Sequence, residues 1–122
     1  MPELTSEELV EKTRDARISA ENAIRYIEEG AIAIDVRSDQ RRAEFGSVPG
    51  AHALRKEDVV SFVREKRGDT SRKVVLFCVS ERRTAAVLDA LRTAGEPEVF
   101  DVEGGFRALS ASGLATVPYT SS

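Results

Sequence analysis

The chain has 122 residues, 41% hydrophobic and 32% charged, with a net charge of −3 from 18 basic and 21 acidic side chains. That describes one domain able to bury roughly two-thirds of its unfolded surface, and the acidic balance argues against general nucleic-acid binding, which needs a basic surface. The acidic start of the chain has no signal-peptide pattern, no run reaches the roughly 20 apolar residues of a membrane span, and a lone cysteine fits a reducing cytoplasm without disulfides.

Residues 1–16 read as a strongly charged N-terminal helix capped by Thr5 or Ser6, residues 17–117 as the core of the domain, and 118–122 as an exposed tail. Ile18 falls in a very short strand. Ser19 caps a helix over 20–29, whose apolar stripe is Ala23, Ile24, Tyr26 and Ile27, and Gly30 ends it. The segment 31–36 is almost continuously apolar and reads as a buried strand of a parallel sheet. Ser38 caps a short helix over 39–45, a turn-rich loop covers 46–50, and 51–54 is another short strand.

Residues 57–66 form a helix with Val59, Val60, Phe62 and Val63 inward, stopped by Gly68. Val74 to Phe77 is the second clear core strand, followed by a helix over 84–94 that Gly95 ends. Val99 to Val102 is a further strand, and Gly104-Gly105 turns into a last helix over 106–111. Strands alternating with helices of about ten residues predict an α/β sandwich around a parallel sheet.

Chemistry concentrates where the strand ending at Phe77 meets a polar segment, Cys78-Val79-Ser80-Glu81-Arg82-Arg83-Thr84. Only a thiolate is nucleophilic, and helix N-termini and arginines favour it. In an open α/β sheet, ligands bind beyond the carboxyl ends of the strands, so Cys78 and Asp35-Val36-Arg37 are expected to share one face. Asp35 is read as a structural acceptor of backbone N–H groups. His52 is read as structural, because nothing supplies a third triad member. Arg14, Arg17, Arg41, Arg42, Arg64 and Arg67 are read as solvated charges on helical faces.

Taken together, 18–117 resembles the rhodanese family of sulfurtransferases. Asp35-Val36-Arg37 followed by Gly46-Ser47-Val48-Pro49-Gly50-Ala51 resembles its first signature, Asp-x-Arg and then Gly-His-Ile-Pro-Gly-Ala. Cys78 to Thr84 resembles its active-site loop, Cys-x-x-Gly-x-Arg-Ser, and Val99 to Phe106 resembles its late strand and Glu-Gly-Gly turn. Three departures stand out. Ser47 replaces a histidine, Leu109 replaces a tryptophan, and Glu81 replaces the loop glycine. If that last position had a left-handed backbone, a non-glycine residue would cost about 1–2 kcal/mol. A carboxylate there would also oppose the thiolate unless Arg82 or Arg83 paired with it.

The resemblance implies a three-layer sandwich with a mostly parallel five-stranded sheet, and no metal or cofactor. It implies a catalytic Cys78 that carries a sulfane sulfur as a persulfide. Val79, Ser80, Glu81, Arg82, Arg83 and Thr84 would cradle the sulfur or its donor, Arg37 would reach the same pocket, and Asp35 would support it. The partners would be a small anionic donor such as thiosulfate and an external thiol or protein acceptor, since no second cysteine can resolve the persulfide. A binding or sulfur-carrier module without useful turnover is the rival, sustained by Glu81. Related phosphatases space the cysteine and arginine by five residues to fit phosphate, whereas four lie between Cys78 and Arg83.

Overall fold

A computed structural model describes residues 4–67 and 72–118. Five strands, β1 (Arg17–Ile18), β2 (Ile32–Asp35), β3 (His52–Ala53), β4 (Val74–Phe77) and β5 (Val99–Val102), form one sheet in the order β1-β5-β4-β2-β3. Every strand pairing is parallel, with Ile32 opposite Val74 and Asp35 opposite Phe77. The helices are α1 (Ser6–Lys12), α2 (Ala20–Glu28), α3 (Asp39–Phe45), α4 (Val59–Arg67), α5 (Glu81–Thr93) and α6 (Gly105–Ala111).

β2 and β4 are buried along their whole length, which is why their sequences are continuously apolar rather than alternating. Their alternate side chains feed two cores. Ile32, Ile34, Val74 and Leu76 pack with Val59 and Val63 of α4 and with Val87, Leu88 and Leu91 of α5. On the other face, Val75, Phe77 and Val102 pack with Ala20 and Ala23 of α2 and Phe106 and Leu109 of α6. The result is a three-layer α/β sandwich. Leu109 is fully buried in the second core, so an aliphatic side chain fills that position.

The first helix is shorter than the sequence predicts. Thr5 caps it in a reciprocal capping box with Glu8, but it ends at Lys12, and residues Arg14–Ala16 wind into a tighter 3-10 turn. Thr13 is the break, with its hydroxyl donating back to Leu9 O at 2.7 Å. Another 3-10 turn, Lys56–Asp58, takes the first residues expected of α4. Ser19 and Ser38 cap α2 and α3 as expected, accepting from Asn22 N and Arg41 N. The predicted helix stop at Gly68 lies outside the described residues, as does most of the tail. No helix among the described residues is long and apolar enough to cross a membrane.

Candidate functional site

The two buried strands end side by side. β2 neighbours β3 on one side and β4 on the other, so successive connections leave the sheet in opposite directions between β2 and β4. Such a switch point opens a crevice beyond the strand ends. Val36 N donates to Phe77 O at 3.0 Å, so the pairing runs right up to Cys78. Cys78 therefore stands at the end of the central strand, 1% exposed, with Sγ 3.9 Å from Val36 O.

The turn after Cys78 is shorter than the sequence predicts. α5 begins at Glu81, not at Thr84, and Ser80 is its extended N-cap, with no side-chain capping bond. The turn proper is thus Cys78-Val79-Ser80, and residues 81–84 form the first helical turn. The N–H groups of that turn have no acceptor within the helix. Glu81, as a helical residue, does not have the left-handed backbone that would make a glycine necessary; Glu98 is the residue other than glycine with positive φ among those described. Its carboxylate pairs with neither Arg82 nor Arg83. Instead, Oε2 accepts from Gly104 N at 3.3 Å.

Gly105 holds the turn from behind. Phe106 N donates to Cys78 O at 2.8 Å. A Cβ added to Gly105 would lie 2.5 Å from Cys78 O and 2.6 Å from Val79 O, and the residue has φ +60. Only glycine allows this close approach at such a backbone angle. The Gly-Gly turn before α6 is therefore part of the site.

The predicted site residues divide into two groups. Cys78, Val79, Ser80 and Arg83 line one cavity of about 240 Å3, together with Ser38 and Arg41. Arg41 and Arg83 are its only charged lining groups, so it is electropositive. Arg83 has no hydrogen bond or ion pair with any described residue, whereas exposed Arg82 pairs with Glu7 of α1 at 2.9 Å. Thr84 faces the other way. It is buried, with its hydroxyl donating to Asp101 Oδ2 at 2.8 Å.

Arg37 also lies apart from the thiol's cavity. Its side chain is fully buried, held by Asp35 through Nε at 3.0 Å and Nη2 at 2.8 Å. Nη2 also donates to Gly46 O at 2.8 Å, and the guanidinium lies 3.8 Å from the Phe106 ring centroid. Asp35 Oδ1 accepts from Arg37 N at 2.9 Å, the structural role predicted for it. A buried carboxylate needs such a partner set. His52 packs on Phe62, with ring centroids 4.8 Å apart.

Three arginines depart from the expectation of solvated helical faces. Arg42 is 5% exposed and donates to Asp35 O and Asp39. Arg67 is 4% exposed and donates to Pro97 O at 2.6 Å and Glu96 at 2.7 Å. Arg17 lies on β1 rather than a helix, and its guanidinium reaches Asp101 at 2.7 Å and Val10 O at 3.0 Å. Each covers carboxylates or carbonyls that would otherwise be buried without a donor.

Asp101, missed in the sequence, sits at the centre of the Arg17 and Thr84 network beneath α5. Burial raises its pKa above the usual aspartate value, and hydrogen bonds from Arg17 and Thr84 pull it back only in part. A carboxylate inside an otherwise apolar strand was the available signal.

Comparison with known proteins agrees with this geometry. The family model described as rhodanese-like domain matches residues 19–112. A thiosulfate sulfurtransferase, GlpE, of Pseudomonas entomophila is 33% identical over 90 residues, covering 74% of this chain and 80% of the relative. A crystal structure of the Alr3790 protein from Anabaena sp. superposes with a TM-score of 0.69 at 28% identity, covering 84% of this chain and 82% of that one. A protein of unknown function from Rhodopseudomonas palustris, described as a possible tyrosine phosphatase, superposes with a TM-score of 0.74 over 96% of this chain and 99% of that one. At 18% identity, that likeness is one of fold.

Proposed function

The chain belongs to the rhodanese-like domain family, and on that premise we propose that it is a sulfurtransferase that carries a sulfane sulfur on Cys78. The observation that carries this reading is that Cys78 lines a small cavity whose charged lining groups are both arginines. A small anion such as thiosulfate suits that cavity in size and charge.

In the first step the Cys78 thiolate attacks the outer sulfur of thiosulfate. The donor's S–S bond breaks, sulfite leaves with the electron pair, and a Cys78 persulfide anion remains. Arg83 and Arg41 hold the anionic donor. The free N–H groups of the turn and of the first turn of α5 stabilise the charge on the terminal sulfur without reorganising, which is electrostatic preorganisation. In the second step an external nucleophile (cyanide in an assay, a thiol or sulfur-accepting protein otherwise) takes the terminal sulfur and restores the thiolate. This is two-step covalent catalysis. The cysteine-to-arginine spacing favours sulfur over phosphate, as does the named activity of the Pseudomonas relative.

Intact-protein mass spectrometry after thiosulfate treatment tests the reading. The expected product carries one added sulfur, lost on treatment with cyanide with formation of thiocyanate, and is absent in Cys78→Ser. Sulfur uptake without thiocyanate would identify a carrier rather than an enzyme. No uptake from thiosulfate would overturn the transferase reading for that donor.

A further inference from the structure

The proposed transfer relies on the N–H groups of the first turn of α5, yet no local bond fixes that turn. Ser80 makes no side-chain capping bond, and an uncapped first turn is where a helix frays. Its anchors come from elsewhere: Glu81 reaches Gly104 N, and Thr84 reaches Asp101 on β5. We propose that Arg17 is a positioning residue for sulfur transfer: it holds Asp101 as a fixed acceptor for the Thr84 hydroxyl, and Thr84 sets the first turn of α5 beside Cys78. The assignment rests on the transferase reading above and adds to it a residue that touches neither sulfur nor donor.

The contacts form one line from α1 to the thiol's turn. Val10 O and the Thr13 hydroxyl accept from the Arg17 guanidinium at 3.0 and 3.2 Å. Arg17 Nη2 donates to Asp101 Oδ2 at 2.7 Å, and Thr84 Oγ1 donates to that same oxygen at 2.8 Å. Arg17 stands directly opposite Asp101 in the pairing of β1 with β5, so the backbone register sets its reach. Thr84 follows Arg83, which lines the cavity with Cys78. The matched family model begins at residue 19, so this cation comes from outside the matched part of the chain.

The geometry of the pair favours placement over strength. Asp101 Oδ1 and Arg17 Nε are buried without a hydrogen-bond partner among the described residues, while Oδ2 takes both bonds. A pair built for strength would use both oxygens in a fork. A buried pair adds little net stability over apolar packing, and its best-attested use is to impose one arrangement.

Without Arg17 the acceptor would be lost. Burial drives an unpaired carboxyl to take up a proton, and Arg17 opposes that at Asp101. A neutral carboxyl can donate to the Thr84 hydroxyl instead of accepting from it. The hydroxyl would then be left with Glu81 O in its own turn, at 3.3 Å, and a bond made back into a helix tends to bend it.

Thiocyanate formation from thiosulfate tests the proposal, with kcat and KM read separately at a temperature where circular dichroism shows each variant folded. Thr84→Val keeps the shape and the ion pair but removes the donor. Arg17→Met removes the cation, and Arg17→Met with Asp101→Leu removes the whole pair without leaving a buried charge, so a folded variant is available. Each should lower kcat about tenfold, the order expected when preorganised donors shift by a fraction of an ångström. KM for thiosulfate should stay within about twofold, because none of these side chains lines the thiol's cavity. Thr84→Ser keeps the hydroxyl and should retain kcat within about threefold. Adding Thr84→Val to the pair variant should cost nothing further, since its acceptor is already gone. An unchanged kcat in Thr84→Val or in the pair variant, or a further tenfold loss when the two are combined, would overturn the proposal.

Amide hydrogen exchange reads the same positioning without turnover. The N–H groups of residues 85–87 bond to the carbonyls of 81–83, so fraying of the first turn exposes them. Faster exchange there in Thr84→Val and the pair variant supports the proposal, and unchanged exchange overturns it whether or not wild type turns over. Faster exchange together with a wild type that takes up no sulfur would overturn the transferase reading instead, leaving Arg17 to position the turn alone.

Discussion

Two strand-to-helix turns stand side by side at the carboxyl edge of the sheet, and they treat charge in opposite ways. After β2, the Asp35-Val36-Arg37 turn is closed. Its carboxylate and guanidinium are buried against each other, and Arg42 adds a second cation at 3.4 Å. After β4, the Cys78-Val79-Ser80 turn is open. It buries the Cys78 thiol and leaves Arg83 facing a cavity without a partner among the described residues. The two turns share one position in the fold, so fold alone does not make a site. A charge consumed inside the protein contributes to stability or specificity of structure, whereas a charge left without a partner remains available to a ligand.

Substitutions on the two turns should therefore separate stability from activity. The largest effect is expected at the closed turn. Asp35→Ala leaves Arg37 buried without its counter-charge and should cost about 3–5 kcal/mol in chemical denaturation. A loss under about 1 kcal/mol would mean that Gly46 O and the Phe106 ring suffice to hold Arg37. At the open turn, Arg83→Gln should leave stability within about 0.5 kcal/mol of wild type. It should lower kcat/KM for thiosulfate by about tenfold, the value of one charge-assisted contact to an anion. Equal turnover would remove Arg83 from the site.

The smallest effect is a pH dependence beneath the open turn. Burial raises the pKa of Asp101 in the folded state, so its contribution to stability is complete below the usual aspartate value and is lost as pH rises through the raised one. The margin of wild type over Asp101→Asn should narrow over that window. Glu8 titrates in the opposite sense. The Thr5 capping bonds hold its pKa low, so its contribution is present at neutral pH and is lost as pH falls through the lowered value. A margin over Asp101→Asn that widens with pH would show that Arg17 outweighs the desolvation of Asp101.

The same contrast governs what was legible in the sequence. β2 and β4 could be read directly, because full burial leaves continuous apolar runs, and Ser38 marked the start of α3 to the residue. The start of α5 could not. Ser80-Glu81-Arg82-Arg83 is polar throughout, has no apolar period, and lacks a side-chain cap, so nothing local marks Glu81 as helical. Whether Glu81 pairs with Arg82 or Arg83, left open by the sequence, is hidden for a related reason. Its carboxylate accepts instead from Gly104 N, 23 residues away. Arg17, Arg42 and Arg67 read as surface charges because burial depends on what crosses them: Asp101 for the first, the end of β2 for the second, Pro97 O and Glu96 for the third. Gly105 was legible as a turn residue but not as a clamp, since the Cys78 and Val79 carbonyls it admits come from another strand end. The cysteine itself was found at once, because it ends the strand that the whole sheet is built around.

Its 1% exposure has a consequence for handling and for survival in an oxidising burst. Two molecules can cross-link through a disulfide only if their Cβ atoms come within about 3.5–4.5 Å, and a cysteine this deep cannot present its Cβ to a second copy while the turn is intact. Idle protein should therefore stay monomeric with respect to thiol cross-linking in air, even though its only cysteine is unpaired.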